Sequence, residues 1–277
     1  MSELRVHRAV RAAYFARPPG ASVRWTPKIS APVGTKTELK TARSLRQKKY
    51  RDEHGLYLAQ GPKLVAELLA SGLRPELLLA TAASQARHAW PGADVLPDHE
   101  LERIGTLETG NEVVAVLRKP GPSPLTTPAA GELWLALDGI SDPGNLGTVL
   151  RIADWFGIDH VLCTPDSVDA FNPKCVQASM GAIFRVQVHY TDLAACLRRH
   201  QTEGVAVYAA DMGGTSVFEE RLKRPAVLVL GSESHGLSAE VRAAAQRIVA
   251  VPRVGRAESL NVAMAAAALC MEFARRG

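Results

Sequence analysis

The chain has no long apolar run: nowhere do the roughly 18 consecutive apolar residues of a membrane-spanning helix occur. The nearest approach, "NVAMAAAALCMEF", is short and runs into "ARRG". Paired cysteines are missing too. Cys163, Cys175, Cys196 and Cys270 are scattered, with no CxxC pair and no Cys/His cluster at zinc-site spacing. This argues against a disulfide framework and a metal site, and reduced thiols in a cytoplasmic protein are expected. Aromatics make up 5% of residues against 47% apolar, so the expected core is aliphatic and alanine-rich. Three common catalytic loops are absent. "GTKT" lacks the upstream glycine of a Walker A loop, "DPGNLG" is not GxGxxG, and no GxSxG occurs. ATPase, dinucleotide oxidoreductase and serine hydrolase chemistries lose ground accordingly.

Acidic residues are scarce at one end only. Residues 1–51 hold 13 Lys/Arg against Glu3 and Glu38, a surplus of +11, which leaves −6 for the rest at the overall +5. A basic front on a mildly acidic body suggests a polyanionic partner, or else a solvated tail. The segment 1–37 reads as a basic, disordered extension, its first 30 residues broken by "RPPG" and "WTPKISAP". It shares arginine richness with mitochondrial transit peptides. Arg outnumbers Lys 24 to 9 over the whole chain, however, which favours compositional bias and a bacterial cytoplasmic protein.

At 277 residues there is room for two domains, or for one large one. From 38 to 118 the pattern predicts a small α/β domain. Pro62 opens a helix with Leu64, Val65, Leu68 and Leu69 on one stripe, and "PELLLAT" and "EVVAVLR" read as buried strands. "KPGPSPLTTPAAG" (119–131) reads as a Pro-rich linker. From 132 to 277 strands alternate with helices. "LWLAL", "HVLC", "FRVQV", "VAVYAA", "AVLVL" and "RIVAV" lack in–out alternation, as strands of a mostly parallel sheet covered on both faces do. Helices are expected near 144–156, 173–181, 191–202, 238–246 and 259–275.

Ligands of such sheets bind at the carboxyl ends of the strands. Three polar loops lie there: "DPGNLGTVLR" (142–151), "GSESHGLS" (231–238) and "ESLNVAMA" (258–265). Singly, each could be turn and helix-cap chemistry, with Asp142, Ser238 and Ser259 as caps. In this order, the three resemble the motifs of the SpoU (TrmH-like) RNA ribose 2′-O-methyltransferases of the SPOUT superfamily. "KKYRDEHGLYLAQGPKLVAELLASG" resembles the L30e-like RNA-binding domain that often precedes them. Gln60 stands where such domains often carry Glu, and Arg253 where an apolar residue is common.

The resemblance implies a C-terminal trefoil knot and a homodimer. It also implies S-adenosylmethionine gripped largely by backbone groups at Leu230, Gly231, Val251, Pro252 and Leu260. Methylation of a ribose hydroxyl needs orientation, loss of a proton and stabilisation of the developing oxyanion. Arg151 is the expected oxyanion or phosphate ligand. It is not the base, because guanidinium stays protonated. Glu233 is its expected partner, Asn145 and Asn261 bond substrate or organise the pocket, and Ser259 caps the last helix. His235 reads as loop surface. Arg43, Arg46, Lys48, Lys49 and Arg51 form the expected phosphate-contacting patch of an RNA partner. rRNA is favoured over tRNA. Rival readings are an RNA-binding or ribosome-assembly module with a vestigial pocket, and a base-methylating enzyme of related fold.

Overall fold

The computed structural model describes residues 34–107, 111–121 and 123–276, so most of the basic extension expected over 1–37 lies outside the described residues. The chain forms two compact units that divide between Ser123 and Pro124, within the Pro-rich stretch 119–131; Phe171–Gln177 groups with the first.

In the first unit, Thr35 and Glu38 close a reciprocal capping box that starts helix α1 (Lys36–Ser44). Helix α2 (Lys48–His54) ends at Gly55, whose φ of 62° suits glycine. Strand β1 (Leu56–Gln60), helix α3 (Pro62–Ala70) and strand β2 (Leu77–Thr81) follow. Then come α4 (Ala82–His88), β3 (Asp94–Leu96), α5 (Asp98–Ile104) and β4 (Val113–Arg118). The sheet order is β1-β4-β2-β3, with β4 antiparallel to both neighbours and β3 parallel to β2. Leu45, Leu58, Leu79, Leu101, Ile104 and Val114 are its buried centre.

The second unit contains β5 (Leu133–Asp138), α6 (Pro143–Trp155), β6 (His160–Cys163), β7 (Gln187–Tyr190) and α8 (Leu193–Thr202). It continues with β8 (Ala206–Ser216), β9 (Ala226–Gly231), α9 (Ala239–Ala243), β10 (Arg247–Ala250) and α10 (Val262–Arg276). Helix α7 (Pro173–Ala178) lies between β6 and β7 in the chain. The six strands run in the order β10-β8-β9-β5-β6-β7, and every pairing is parallel. Every residue of β5 is buried, and of β9 all but Gly231, as expected for central strands covered on both faces.

Three elements differ from the sequence expectation. The helix expected over 173–181 stops at Ala178, because Met180 (φ 50°) and Gly181 (φ 91°) are left-handed. Ala182–Phe184 then forms a 3₁₀ turn, so β7 begins at Gln187 instead of Phe184. The strand expected to end at Ala210 runs on to Ser216, with an interruption described below.

A histidine cluster lies near the start of β5 and β6. Trp134 stacks on His160 at 4.1 Å and meets His200 edge-on at 5.7 Å. His160 Nδ1 lies 3.1 Å from His189 Nε2. Burial lowers the pKa of all three rings. That of His189 falls to about 4, with His160 adding repulsion. The unfolded chain takes up protons near pH ~6.5 while the folded chain resists them. The stability these rings contribute is therefore complete above that pH and is lost as pH falls toward 4. Thermal melts should show a Tm that declines over this window, with a shallower decline in His189→Asn; equal slopes would exclude the cluster as the cause.

Candidate active site

The site begins where β8 leaves the sheet. Its pairing with β9 ends at Ala209↔Val229. Its pairing with β10 jumps from Ala209↔Ile248 to Thr215↔Val249, so residues 210–214 arch out of the sheet and return. β9 continues alongside β5 to Gly231↔Asp138. Among the described residues, Leu230 and Gly231 therefore have no strand partner on the β8 side, and their polar backbone edge is free to serve a ligand.

Above this gap lies an open cleft of about 820 Å³, walled by the arch, by the corner after β9 and by the 251–260 loop. Its size is that of a small-molecule site. Two glycines permit the close backbone approaches. A Cβ at Gly231 would stand 2.3–2.6 Å from the Gly236 and Leu237 backbone, and one at Gly214 would stand 2.7 Å from Ile248 and Val249. Ser232 and Gly236 exchange two backbone hydrogen bonds of 2.9 Å, which closes the turn that presents Glu233.

A polar network joins the two helices packed side by side, α6 and α10. Asp142 caps α6 by accepting the Asn145 amide at 2.9 Å, with Pro143 in the first turn. The Glu233 carboxylate accepts from Asn145 Nδ2 at 3.0 Å, from Asn261 Nδ2, and from the Val262 amide at 3.2 Å. Asn261 Nδ2 also reaches Asn145 Oδ1 at 3.0 Å. Asn261 Oδ1 accepts the Ala263 amide at 3.0 Å, which makes this residue the cap of α10. A carboxylate at the first amide of a 15-residue helix is favoured by the helix dipole.

All five residues expected to hold the cofactor, Leu230, Gly231, Val251, Pro252 and Leu260, line this one cleft, and Glu233 and Ser259 line it with them. Asn145 and Asn261 adjoin it through Glu233. Arg151 differs from expectation. Glu233 turns Oε1 to Asn145, Asn261 and Val262, and exposed Arg151 makes no hydrogen bond or ion pair within the described residues. Six residues along a helix place it roughly 120° round and roughly 9 Å beyond Asn145. Ser259 does not cap the last helix, since α10 starts at Val262 and Asn261 fills that place. His235 is exposed, with Nδ1 2.8 Å from Ser234 Oγ. Sequence reasoning missed the arch; Asp211 and the pair Gly213–Gly214 directly after a buried strand were its signal.

The basic patch is largely committed to the first unit's own structure. Arg51 is 2% exposed and donates to the Leu45 and Arg46 carbonyls, both at 2.9 Å. The expectation that it contacts phosphate is corrected, because a buried guanidinium bound to carbonyls is a scaffold group. Arg46 donates to the Glu102, Ile104 and Gly105 carbonyls at the end of α5, Arg43 pairs with Glu100, and Lys48 pairs with Asp52. Lys49 is exposed, with Nζ 5.7 Å from the Tyr50 ring centroid. Gln60 holds Thr106 through amide and hydroxyl at 2.7 and 2.8 Å, a structural task in a turn.

A parallel α/β sheet with a cofactor-sized cleft over its strand ends, preceded by a second small α/β unit, defines a ligand-binding enzyme with an appended domain. The chain belongs to the SpoU rRNA methylase family, whose model matches residues 132–271. The model of the MRM3-like substrate binding domain matches residues 36–117. The chain is therefore a methyltransferase, and its fold is that of the SpoU/TrmH enzymes. It is 30% identical to the Bacillus subtilis 23S rRNA (guanosine(2553)-2′-O)-methyltransferase RlmP, covering 84% of this chain and 94% of that protein. Zebrafish (Danio rerio) mitochondrial rRNA methyltransferase 3A is 28% identical, over 89% and 70%. Among solved structures, a TrmH-family protein from Porphyromonas gingivalis matches with a TM-score of 0.79 at 40% identity, covering 89% of this chain and all of that one. The AdoMet-bound rRNA methyltransferase from Sinorhizobium meliloti matches with a TM-score of 0.76 at 32% identity, over 88% and 97%.

Two pairs of substitutions test this geometry. Gly231→Ala should cost ~1–3 kcal/mol in urea denaturation, as overpacking does, while Gly255→Ala, which has open space around it, should cost little. Equal behaviour of the two would refute a steric need for glycine at the corner. Arg51→Met should destabilise by ~1–3 kcal/mol by stranding two carbonyls, whereas Lys49→Met should stay within ~0.5 kcal/mol of the parent.

Proposed function

We propose that the chain transfers a methyl group from S-adenosylmethionine to a ribose 2′-hydroxyl of structured RNA, with rRNA as the substrate class. The observation that carries this reading is the convergence of the 231–238 and 251–260 corners on one cleft, beside the Asn145–Glu233–Asn261 network. The cleft fits the cofactor: glycine corners admit the main chain, Leu230 and Leu260 supply apolar wall, and the β9 edge offers backbone polar groups. The bound cofactor supplies an electrophilic methyl on a sulfonium.

The remaining tasks fall to this chain's side chains. Glu233 holds Asn145 and Asn261 in fixed rotamers, so that their amides stand ready at the mouth of α6. Among the described residues Arg151 has no partner to give up, and it is free to take an RNA phosphate or the forming alkoxide in its guanidinium fork. The hydroxyl proton leaves to phosphate or water. The 2′-hydroxyl requirement excludes DNA. In the first unit Lys49 is the patch residue free to meet phosphate.

The working form is a homodimer. Met264 (65% exposed) and Met271 (59%) lie two turns apart on α10, and Trp155 at the end of α6 is 83% exposed, a surface a second copy would cover. No helix among the described residues is long and apolar enough to cross a membrane. The reading places the enzyme in the cytoplasm, with a mitochondrial setting as the alternative raised by relatives such as the zebrafish protein.

Incubation with labelled S-adenosylmethionine and bacterial rRNA or tRNA, followed by digestion and mass spectrometry, should yield 2′-O-methylnucleosides from rRNA. Label on bases, or on no RNA, would overturn the reading. Arg151→Ala should keep calorimetric cofactor binding and lose turnover by ~10²–10³-fold. Unchanged turnover would remove Arg151 from the site.

A further inference from the structure

The arch of β8 places one carboxylate in the cleft that none of the three sequence motifs contains. Asp211 lies at the start of the excursion, on the strand that stands between β9 and β10 in the sheet order. It therefore sits between the Gly231 corner and the Val251–Pro252 corner, and it lines the same cleft. Its side chain is anchored at both oxygens: Oδ1 accepts the Gly213 amide at 2.8 Å, and Oδ2 pairs with Arg242 of α9. It nevertheless keeps 32% of its surface exposed. The Gly213 amide, and with it the Arg242 guanidinium, hold the carboxyl below the usual carboxylate range, so it is an acceptor at neutral pH.

The other charged residues of the cleft leave this position distinct. Arg253 cannot accept a hydrogen bond, and Glu233 is drawn by three donors on Oε1 toward the starts of α6 and α10, whereas Asp211 is held on the opposite, β8 side of the Gly231 corner. The free edge at Leu230–Gly231 offers backbone groups suited to a base. What an adenosyl ligand still presents is a vicinal diol, two neutral donors. A carboxylate whose charge is offset by a paired guanidinium suits neutral donors better than it suits an ammonium group. Acids near strand ends take ribose hydroxyls in dinucleotide-binding sheets for the same physical reason.

We propose that Asp211 is the specificity-determining acceptor for the ribose hydroxyls of the cofactor's adenosyl group. This assignment rests on the proposed use of S-adenosylmethionine.

The experiment is calorimetric titration of the full chain with S-adenosylhomocysteine and with its 2′,3′-dideoxy analogue. The parent protein should bind the dideoxy analogue at least ~10-fold more weakly, the scale of a hydrogen bond to a charged group. Asp211→Ala should bind S-adenosylhomocysteine ~10-fold more weakly than the parent and discriminate between the two ligands by less than ~3-fold. If Asp211→Ala binds neither ligand, Asp211→Asn keeps an oxygen for the Gly213 amide and carries the same comparison. Arg242→Ala, which retains Asp211, should still discriminate. Discrimination undiminished in the Asp211 variants, or absent in the parent, overturns the assignment and leaves the cofactor reading standing. A parent protein that binds neither ligand overturns both.

Discussion

The cleft exists because the strand between β9 and β10 abandons its neighbours. Backbone amides and carbonyls are normally consumed by a ladder, and a sheet interior has none to spare. By leaving after Ala209 and resuming at Thr215, β8 opens a gap in which the edge of Leu230 and Gly231 faces the cleft instead of a strand. Everything else at the site is arranged around that gap. The close turn at Gly236, the loop carrying Val251 to Leu260 and the arch carrying Asp211 are its walls. A ladder completed through residues 210–214 would fill the site with the protein's own main chain.

Glu233 gives this opening a rigid neighbour. Its carboxylate gathers a side chain from the first turn of α6 with the cap and first amide of α10, so two helix starts and one strand corner share a single acceptor. The Asn145 and Asn261 amides are thus held in place by the fold itself, the kind of preorganisation that lowers the cost of reaching a reactive geometry. Arg151 is the exception, standing apart on the same helix without a partner among the described residues. Under the proposed function, rigid amides and an uncommitted cation would be complementary: the first would define the reacting position, and the second could follow an incoming phosphate.

Much of this was legible in the sequence. "LWLAL" and "AVLVL" mark β5 and β9 to within a residue, because central parallel strands are continuous apolar runs. The corners after them are readable as polar, glycine-rich breaks. Other features were hidden for definite reasons. The segment 82–104 folds into two helices of seven residues and a three-residue strand, too short for a period to emerge. Thr215 and Ser216 look like the end of a turn, and only their pairing with Val249 and Ala250 shows that a strand has resumed. Ser259 and Asn261 are equally good caps by type, and the start of α10 at Val262 decides between them. Nothing in the spacing of five cations reveals that Arg51 points inward.

That last point bears on how the protein meets a polyanion. Displacement of condensed counterions from a nucleic acid, and with it the steepness of the ionic-strength dependence of association, scales with the number of cations that actually reach phosphates. Arg51 is sealed inside, Arg46 is bound to carbonyls, and Arg43 and Lys48 are each neutralised by a carboxylate. Arg51 is thus barred from direct phosphate contact and Arg43, Arg46 and Lys48 would have to exchange an existing partner for one, so the patch's share of the salt sensitivity should fall below that of five contacts.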